Sequence, residues 1–255
     1  MTAPPPRLFH DAPLVEAAEI ALDKDAAHYL GGVLRKGPGD RVRLFNARDG
    51  EWAADIVALD RKGGTVAVRD RLRAPAPVPD LDLLFAPLKK SRTDFVVEKA
   101  TELGVKRLRP VLTARTIADK VRPERLAMLA REAAEQTERL DVPEIADAEP
   151  LAKALDHWNP ARRLIYADEA GDDAHAPWGG STGRARPILA ALQAAERGPW
   201  AVLIGPEGGF TPQERERLRS EPFVVPVSLG PRILRAETAA VAALSLVQAV
   251  LGDWD

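Results

Sequence analysis

Apolar and polar positions alternate along the chain in two different rhythms, and the change falls near residue 74. Before it come short runs of period two: "RVRLFN" (41–46), "WAADIVAL" (52–59) and "TVAVRDRL" (65–72). Turn-forming clusters separate them, "KGPGD" at 36–40, "RDG" at 48–50 and "KGG" at 62–64. This pattern predicts strands joined by tight turns, and a small β-barrel of about five or six strands accounts for it. One helical stretch, 23–36, stands near its start. "APAPVPD" (74–80) carries three prolines in seven residues and reads as a stiff linker between a domain at 1–73 and another at 81–255.

Beyond the linker, buried strands alternate with longer stretches of period 3.6. Strands are expected at 81–88, 106–112, 163–169, 200–204 and 223–230. Ser91 and Asp94 are placed to form a capping box before the helix "DFVVEKATEL", which Gly104 should stop. Further helices are expected at 123–140, with proline in the first turn, at 186–196, after Thr211, and at 238–251; 175–185 reads as a loop. Strand following helix in this way predicts an α/β domain with a mainly parallel sheet.

Two strand ends in that domain share one grammar. "WAVLI" (200–204) runs into "GPEGGF" (205–210), and Thr211-Pro212-Gln213-Glu214 then opens a helix with cap, first-turn proline and capping-box glutamate in place. "FVVPVSLG" runs into "PRILRAE" (231–237) before an alanine-rich helix. Ligands of open α/β sheets bind where a strand's C-terminal end meets a helix's N-terminus. Gly208 and Gly209 would permit positive φ or close approach of a ligand to the backbone. An ordinary glycine turn is the plainer alternative. Gripped by two such loops, a ligand would be held largely by backbone groups, which suits a nucleoside.

Composition narrows the chemistry. The absence of cysteine excludes disulfides, thiol catalysis and Cys-ligated zinc. The four histidines, His10, His28, His157 and His175, form no metal-ligand spacing, so no metal is expected. Neither the dinucleotide pattern G-x-G-x-x-G nor the phosphate loop G-x-x-x-x-G-K-[ST] occurs at the loops. No apolar run reaches the length of a membrane span and "MTAPPPRLFHD" has no signal-peptide core, so a cytoplasmic protein is expected. The formal net charge is −2, but residues 86–125 hold eleven Lys and Arg against five Asp and Glu. That belt suits a polyanionic partner, or else is a solvated helix face.

"LIGPEGG" (203–209) and "LGPRILRAETAA" (229–240) resemble the C-terminal signature of the bacterial ribosomal RNA small subunit methyltransferase E family, of the SPOUT class. "VLRKGPGD" (33–40), "KKSRTDFVVEKATELGV" (89–105) and "EQTERLDVPEI" (135–145) resemble its other motifs, in order. Gly31-Gly32 and Thr137-Glu138 depart from the family pattern. The resemblance implies an N-terminal PUA-like RNA-binding barrel and a C-terminal domain whose chain forms a trefoil knot. It implies S-adenosyl-L-methionine as cofactor, held by Ile204, Gly205, Pro206, Glu207, Gly208, Gly209, Leu229, Gly230, Ile233, Leu234 and Thr238. The implied reaction is methylation of N3 of a uridine in small-subunit (16S) ribosomal RNA. Arg235 is then the first candidate to meet the base, with Glu207 and Glu237 behind it; Glu237 is equally suited to stabilising its helix as a first-turn acid. Arg35, Lys36, Arg41 and Arg43, with Lys89, Lys90 and Arg92, are the expected phosphate contacts. A silent RNA-binding assembly factor, or an enzyme of the same class with another RNA target, is the alternative. The helix 238–251 is apolar nearly all round, which implies a second buried face and, with the resemblance, a homodimer.

Overall fold

A computed structural model describes residues 4–117, 121–168 and 185–254. The chain divides into two compact units, one of residues 1–77 with 134–142 and one of residues 78–133 with 143–255.

The first unit is a curled sheet of five strands: β1 (Arg7–Phe9), β2 (Glu19–Leu22), β3 (Arg41–Asn46), β4 (Gly50–Leu59) and β5 (Gly64–Arg73). They lie in the order β1-β3-β4-β5-β2. The outermost strands, β1 and β2, do not pair, so the expected barrel is an open half-barrel. Three register shifts between β4 and β5 supply the coiling, since a bulge increases local twist. Leu30, Val42, Leu44, Ile56, Val66 and Val68 fill its concave side. The helical stretch near its start is α1 (Lys24–His28), capped by Asp23, whose side chain accepts from the Ala26 amide at 2.8 Å. At Tyr29–Val33 the ladder widens to π-type turns across the two glycines, and Arg35, at φ 56°, ends it.

Residues 134–142 join this unit through Arg7, a buried guanidinium with no obvious sequence signal. Its Nη1 donates to the carbonyls of Ala134 (2.8 Å) and Glu135 (3.2 Å), its Nη2 to that of Arg139 (2.7 Å), and its Nε to Glu51 (2.8 Å). The carbonyls at a helix end lack intrahelical partners, and a cation there satisfies them. The helix expected to reach residue 140 accordingly ends at Gln136, and Glu138, at φ 60°, turns the chain away.

In the second unit every described strand pairing is parallel. Its elements are β6 (Leu81–Phe85), α2 (Lys90–Glu102), β7 (Arg107–Leu112), α3 (Pro123–Gln136, whose last three residues belong to the first unit), β8 (Glu144–Ile145), β9 (Glu149–Pro150), α4 (Leu151–Asp156), β10 (Arg163–Ala167), β11 (Arg186–Pro187), α5 (Ile188–Gln193), β12 (Trp200–Ile204), α6 (Pro212–Ser220), β13 (Val224–Ser228) and α7 (Ala236–Leu251). The sheet order is β11-β13-β10-β12-β6-β7-β8, with β9 beside β7. β6 and β12 are buried at every residue, as central parallel strands covered on both faces must be.

The capping box expected at Ser91 and Asp94 does not form. α2 begins earlier, at Lys90, with Lys89 in the cap position and no side-chain cap. Thr93 does the local work instead: its hydroxyl accepts from the Leu88 amide (2.9 Å) and donates to the Leu88 carbonyl (3.0 Å). Asp94 is drawn off by Arg125. Gly104, at φ 76°, ends α2 as expected, and Gln248 of α7 donates to the last-turn carbonyl of Leu103 at 2.5 Å. The loop expected at 175–185 lies, but for Ala185, outside the described residues.

Candidate cofactor site

The strand order decides where the loops meet. β10 lies between β13 and β12, so the C-terminal ends of all three open side by side. Between them is a cavity of about 690 Å³. Its walls are the segments 204–210 after β12, 227–236 after β13 and 166–168 at the end of β10, with Arg92, Arg115, Arg215 and Ala239.

The 205–210 loop is rigidly framed. Thr211 and Glu214 form the reciprocal capping box: the Glu214 carboxylate accepts from the Thr211 amide (2.8 Å) and the Thr211 hydroxyl from the Glu214 amide (3.2 Å). The other Glu214 oxygen accepts from the Ala114 amide at 2.8 Å, joining the loop after β7 to this one. From the same loop Arg115 donates to the Gly208 carbonyl at 2.7 Å. Gly209 has φ 66°. The close approach that glycine permits occurs elsewhere than expected. A Cβ on Gly205 would lie 2.5 Å from the Phe210 ring, whereas one on Gly208 would meet Arg115 carbons at 3.4 Å. Phe210 in turn packs edge-on against Tyr166, ring centroids 5.2 Å apart. Across the cavity Gly230 has φ 112°, and a Cβ there would project into open space.

Of the residues expected to hold a cofactor, all but Thr238 line this cavity. Thr238 is exposed on the first turn of α7, and Ala239 lines the wall in its place. Arg235 lines the cavity and is exposed, at the N-cap of α7, which starts two residues earlier than its apolar pattern indicates. Glu207 lines the cavity; Glu237 does not, and its carboxylate is largely buried behind the wall.

Arg92, expected on a phosphate, also lines the cavity and pairs with Glu207, with Glu237 3.6 Å from its Nε. Lys89 and Lys90 are exposed. In the first unit Arg35 and Arg41 are exposed and Lys36 half-buried, with Arg41 3.5 Å from Asp55. Arg43 is engaged within the unit, by both oxygens of the exposed Glu138 (3.2 and 3.0 Å) and, at 3.3 Å, by the fully buried Glu51.

The third wall has no counterpart among the sequence candidates. Asp168, buried at the end of β10, accepts from Arg215 (3.3 Å) and Arg219 (2.8 and 2.5 Å) of α6. Burial pushes the Tyr166 phenol well up, and Asp168 beside it adds to the shift. Burial would lower the Arg215 pKa, but its hydrogen bond to Asp168, the Asp168 charge and Tyr166 together outweigh this and the net shift is upward. Tyr166 therefore stays neutral and Arg215 charged at any physiological pH. Which strand lies beside β12 is a property of the fold, so only the strand order could have pointed to this wall.

The chain is similar to known proteins over nearly its whole length. Residues 74–248 match the RNA methyltransferase domain family and residues 22–68 the RNA methyltransferase PUA domain family. The ribosomal RNA small subunit methyltransferase E of Rickettsia conorii is 32% identical over 243 residues, covering 95% of this chain and 94% of that protein. The chain belongs to the ribosomal RNA small subunit methyltransferase E family. A member from Bacillus subtilis is 27% identical over 91% of this chain and 90% of its own length. The crystal structure of the Neisseria gonorrhoeae methyltransferase E, bound to S-adenosyl methionine, superposes with a TM-score of 0.80 at 26% identity, covering 98% of this chain and all of that one. A probable rRNA methyltransferase from Porphyromonas gingivalis superposes with a TM-score of 0.76 at 29% identity over 96% of this chain and 98% of its own.

Proposed function

We propose that this protein transfers a methyl group from S-adenosyl-L-methionine to N3 of a uridine in small-subunit (16S) ribosomal RNA. The observation that carries the reading is the cavity at the C-terminal ends of β10, β12 and β13, lined by the family's two glycine-bearing loops. Its residues fit the cofactor: Gly230 leaves room against the backbone, and the carboxylate of Glu207, paired on one oxygen with Arg92, lines the space a sulfonium would occupy.

Bound there, the cofactor supplies a methyl group already activated on sulfur. The chain's own residues have two remaining tasks, to align the base and to manage its imide proton. Arg235, exposed at the cavity, is assigned to the base: a cation beside the imide favours its anion, the nucleophilic form. Glu207 is the nearer of the two candidate proton acceptors, since Glu237 does not line the cavity. N3 lies on the pairing edge, so the target base must be unpaired or flipped out. Lys89 and Lys90, exposed beside the amino-terminal end of α2, are assigned to phosphates, as are Arg35, Lys36 and Arg41 on the half-barrel.

Three further features belong to the same reading: a trefoil knot in the C-terminal chain, a homodimer formed through α7, and a cytoplasmic location, where ribosomal RNA is found. No described helix is long and apolar enough to cross a membrane.

The test is methyl transfer from tritiated S-adenosylmethionine to naked 16S RNA and to small subunits from a strain lacking this activity. Label is expected in RNA with wild-type protein. With Arg235→Ala, label is expected to fall by about a hundredfold or more while cofactor binding persists. An intact cofactor site with no transfer to either substrate would favour a silent RNA-binding factor.

A further inference from the structure

Among the cations of the basic belt, Arg92 stands apart. Lys89 and Lys90 are exposed and make no ion pair among the described residues. Arg92, on the first turn of α2, points its Nη1 at Glu207 in the loop after β12 and its Nε toward Glu237, 3.6 Å away, in the first turn of α7. The Glu237 side chain is only 16% exposed, and its Oε2 is buried with no hydrogen-bond partner in the described structure. At that exposure water offsets only part of the charge, and the cation paired with it among the described residues is Arg92. One guanidinium thus spans two carboxylates on the two segments that carry the cofactor loops.

We propose that Arg92 is a positioning residue: it ties the 205–210 loop to the start of α7 and sets the spacing of the two loops that grip the cofactor, rather than contacting RNA phosphate. The proposal rests on the reading of the cavity as the cofactor site. It explains why an arginine is used. A guanidinium presents donors along two directions from a planar group, whereas a lysine ammonium is one point charge and can serve only one of two separated carboxylates at full strength. It also gives Glu237 its role, to anchor Arg92 from behind the wall rather than to accept the imide proton.

Three quantities separate this role from a phosphate contact: the affinity for S-adenosylhomocysteine by calorimetry, the salt slope of RNA binding without cofactor, and the KM for each substrate. Wild-type protein is measured first. If it fails to bind S-adenosylhomocysteine, the cofactor reading falls, whatever Arg92 does. Given wild-type binding, Arg92→Ala is expected to weaken it by about fivefold or more, with Arg92→Lys intermediate, because the loops lose their common anchor. KM for the cofactor rises and kcat falls, while KM for RNA and the salt slope hold. A loss in Arg92→Ala smaller than about fivefold overturns the proposal, and a salt slope lower by about one would then identify a phosphate contact. Should Arg92→Ala fail to fold, Glu237→Gln decides, since it removes the charge that Arg92 answers at nearly constant shape. It is expected to weaken S-adenosylhomocysteine by about threefold or more, and a smaller loss overturns the proposal.

Discussion

At the scale of single residues, the site depends on which glycine has a neighbour. Gly205 lies under Phe210, and an added Cβ would sit 2.5 Å from the ring. The ring is not free to yield, because it is buried and packs edge-on against Tyr166. Gly205→Ala is therefore an overpacking change, expected to cost about 1–3 kcal/mol and to weaken cofactor binding by moving the loop. Gly208→Ala meets only the side chain of Arg115 at contact distance and should be much milder. Thermal melts and calorimetry of the two variants check this, and equal effects would contradict it. The string "GPEGG" marked a loop that lines the cavity, but the reason for each glycine was not legible in it. Gly209 does use positive φ; the crowded position is set by Phe210 and Tyr166, which come together only in the fold. Arg92 is a parallel case. Its neighbours Lys89 and Lys90 are exposed, so local charge predicts a phosphate contact, yet its partners are 115 and 145 residues further along the chain.

At the scale of elements, strong local signals located what they described. β3 and β12 span the residues their patterns mark, and the α6 start has every capping feature its sequence implies. Elements of two to four residues, such as β1, β2, β8, β9 and β11, carry too few positions for a period to show. α7 is the most informative. Ala240, Ala243, Leu244, Val247 and Leu251 are buried within the subunit. Val241, Ala242, Leu246 and Val250 are only half-buried and Ala249 is exposed, and their spacing places them on one stripe of the helix. A helix covering a sheet needs one apolar stripe, and this second one has no cover within the described chain. The homodimer is proposed to supply it. Light scattering at micromolar concentration is expected to give a dimer for wild type and a monomer for Leu246→Glu. A fully active wild-type monomer would contradict the dimer.

For the whole molecule, the response to acid is set by carboxylates shifted in both directions. In the first, hydrogen bonds from Arg48, Arg69 and Arg43 hold Asp49, Asp55 and Glu138, respectively, below their ordinary carboxylate values. A depressed folded pKa contributes stability that is present above the unfolded value, 3.8 for Asp and 4.5 for Glu, and is lost as pH falls through the folded one. In the second unit both signs occur: burial would raise the Asp80 pKa, but Arg162, Lys106 and Arg107 together hold it below its ordinary value, whereas Asp82 has the opposite sign. Burial raises its pKa despite Arg162, Arg107 and Arg109, so its charge costs stability as pH rises above the unfolded value. Acid is therefore expected to loosen the half-barrel, where three carboxylates are held down. Melting temperature should drop as pH is lowered from about 5 to about 3, and Asp49→Asn, already less stable at neutral pH, should show a shallower drop. An equally steep drop in that variant would show that the acid response lies elsewhere. The α/β class, the parallel sheet and the family were legible in the chain. The third cavity wall, and the return of residues 134–142 to the first unit, were not, because both depend on partners distant in sequence.

The most direct measurement of the central claim is the identity of the product. Small-subunit ribosomal RNA from a strain lacking this activity is incubated with the protein and S-adenosylmethionine, digested to nucleosides and resolved by mass spectrometry against standards. The expected result is one new methylated nucleoside, 3-methyluridine. A ribose 2′-O-methyl nucleoside, or a methylated base other than uracil, would contradict the account.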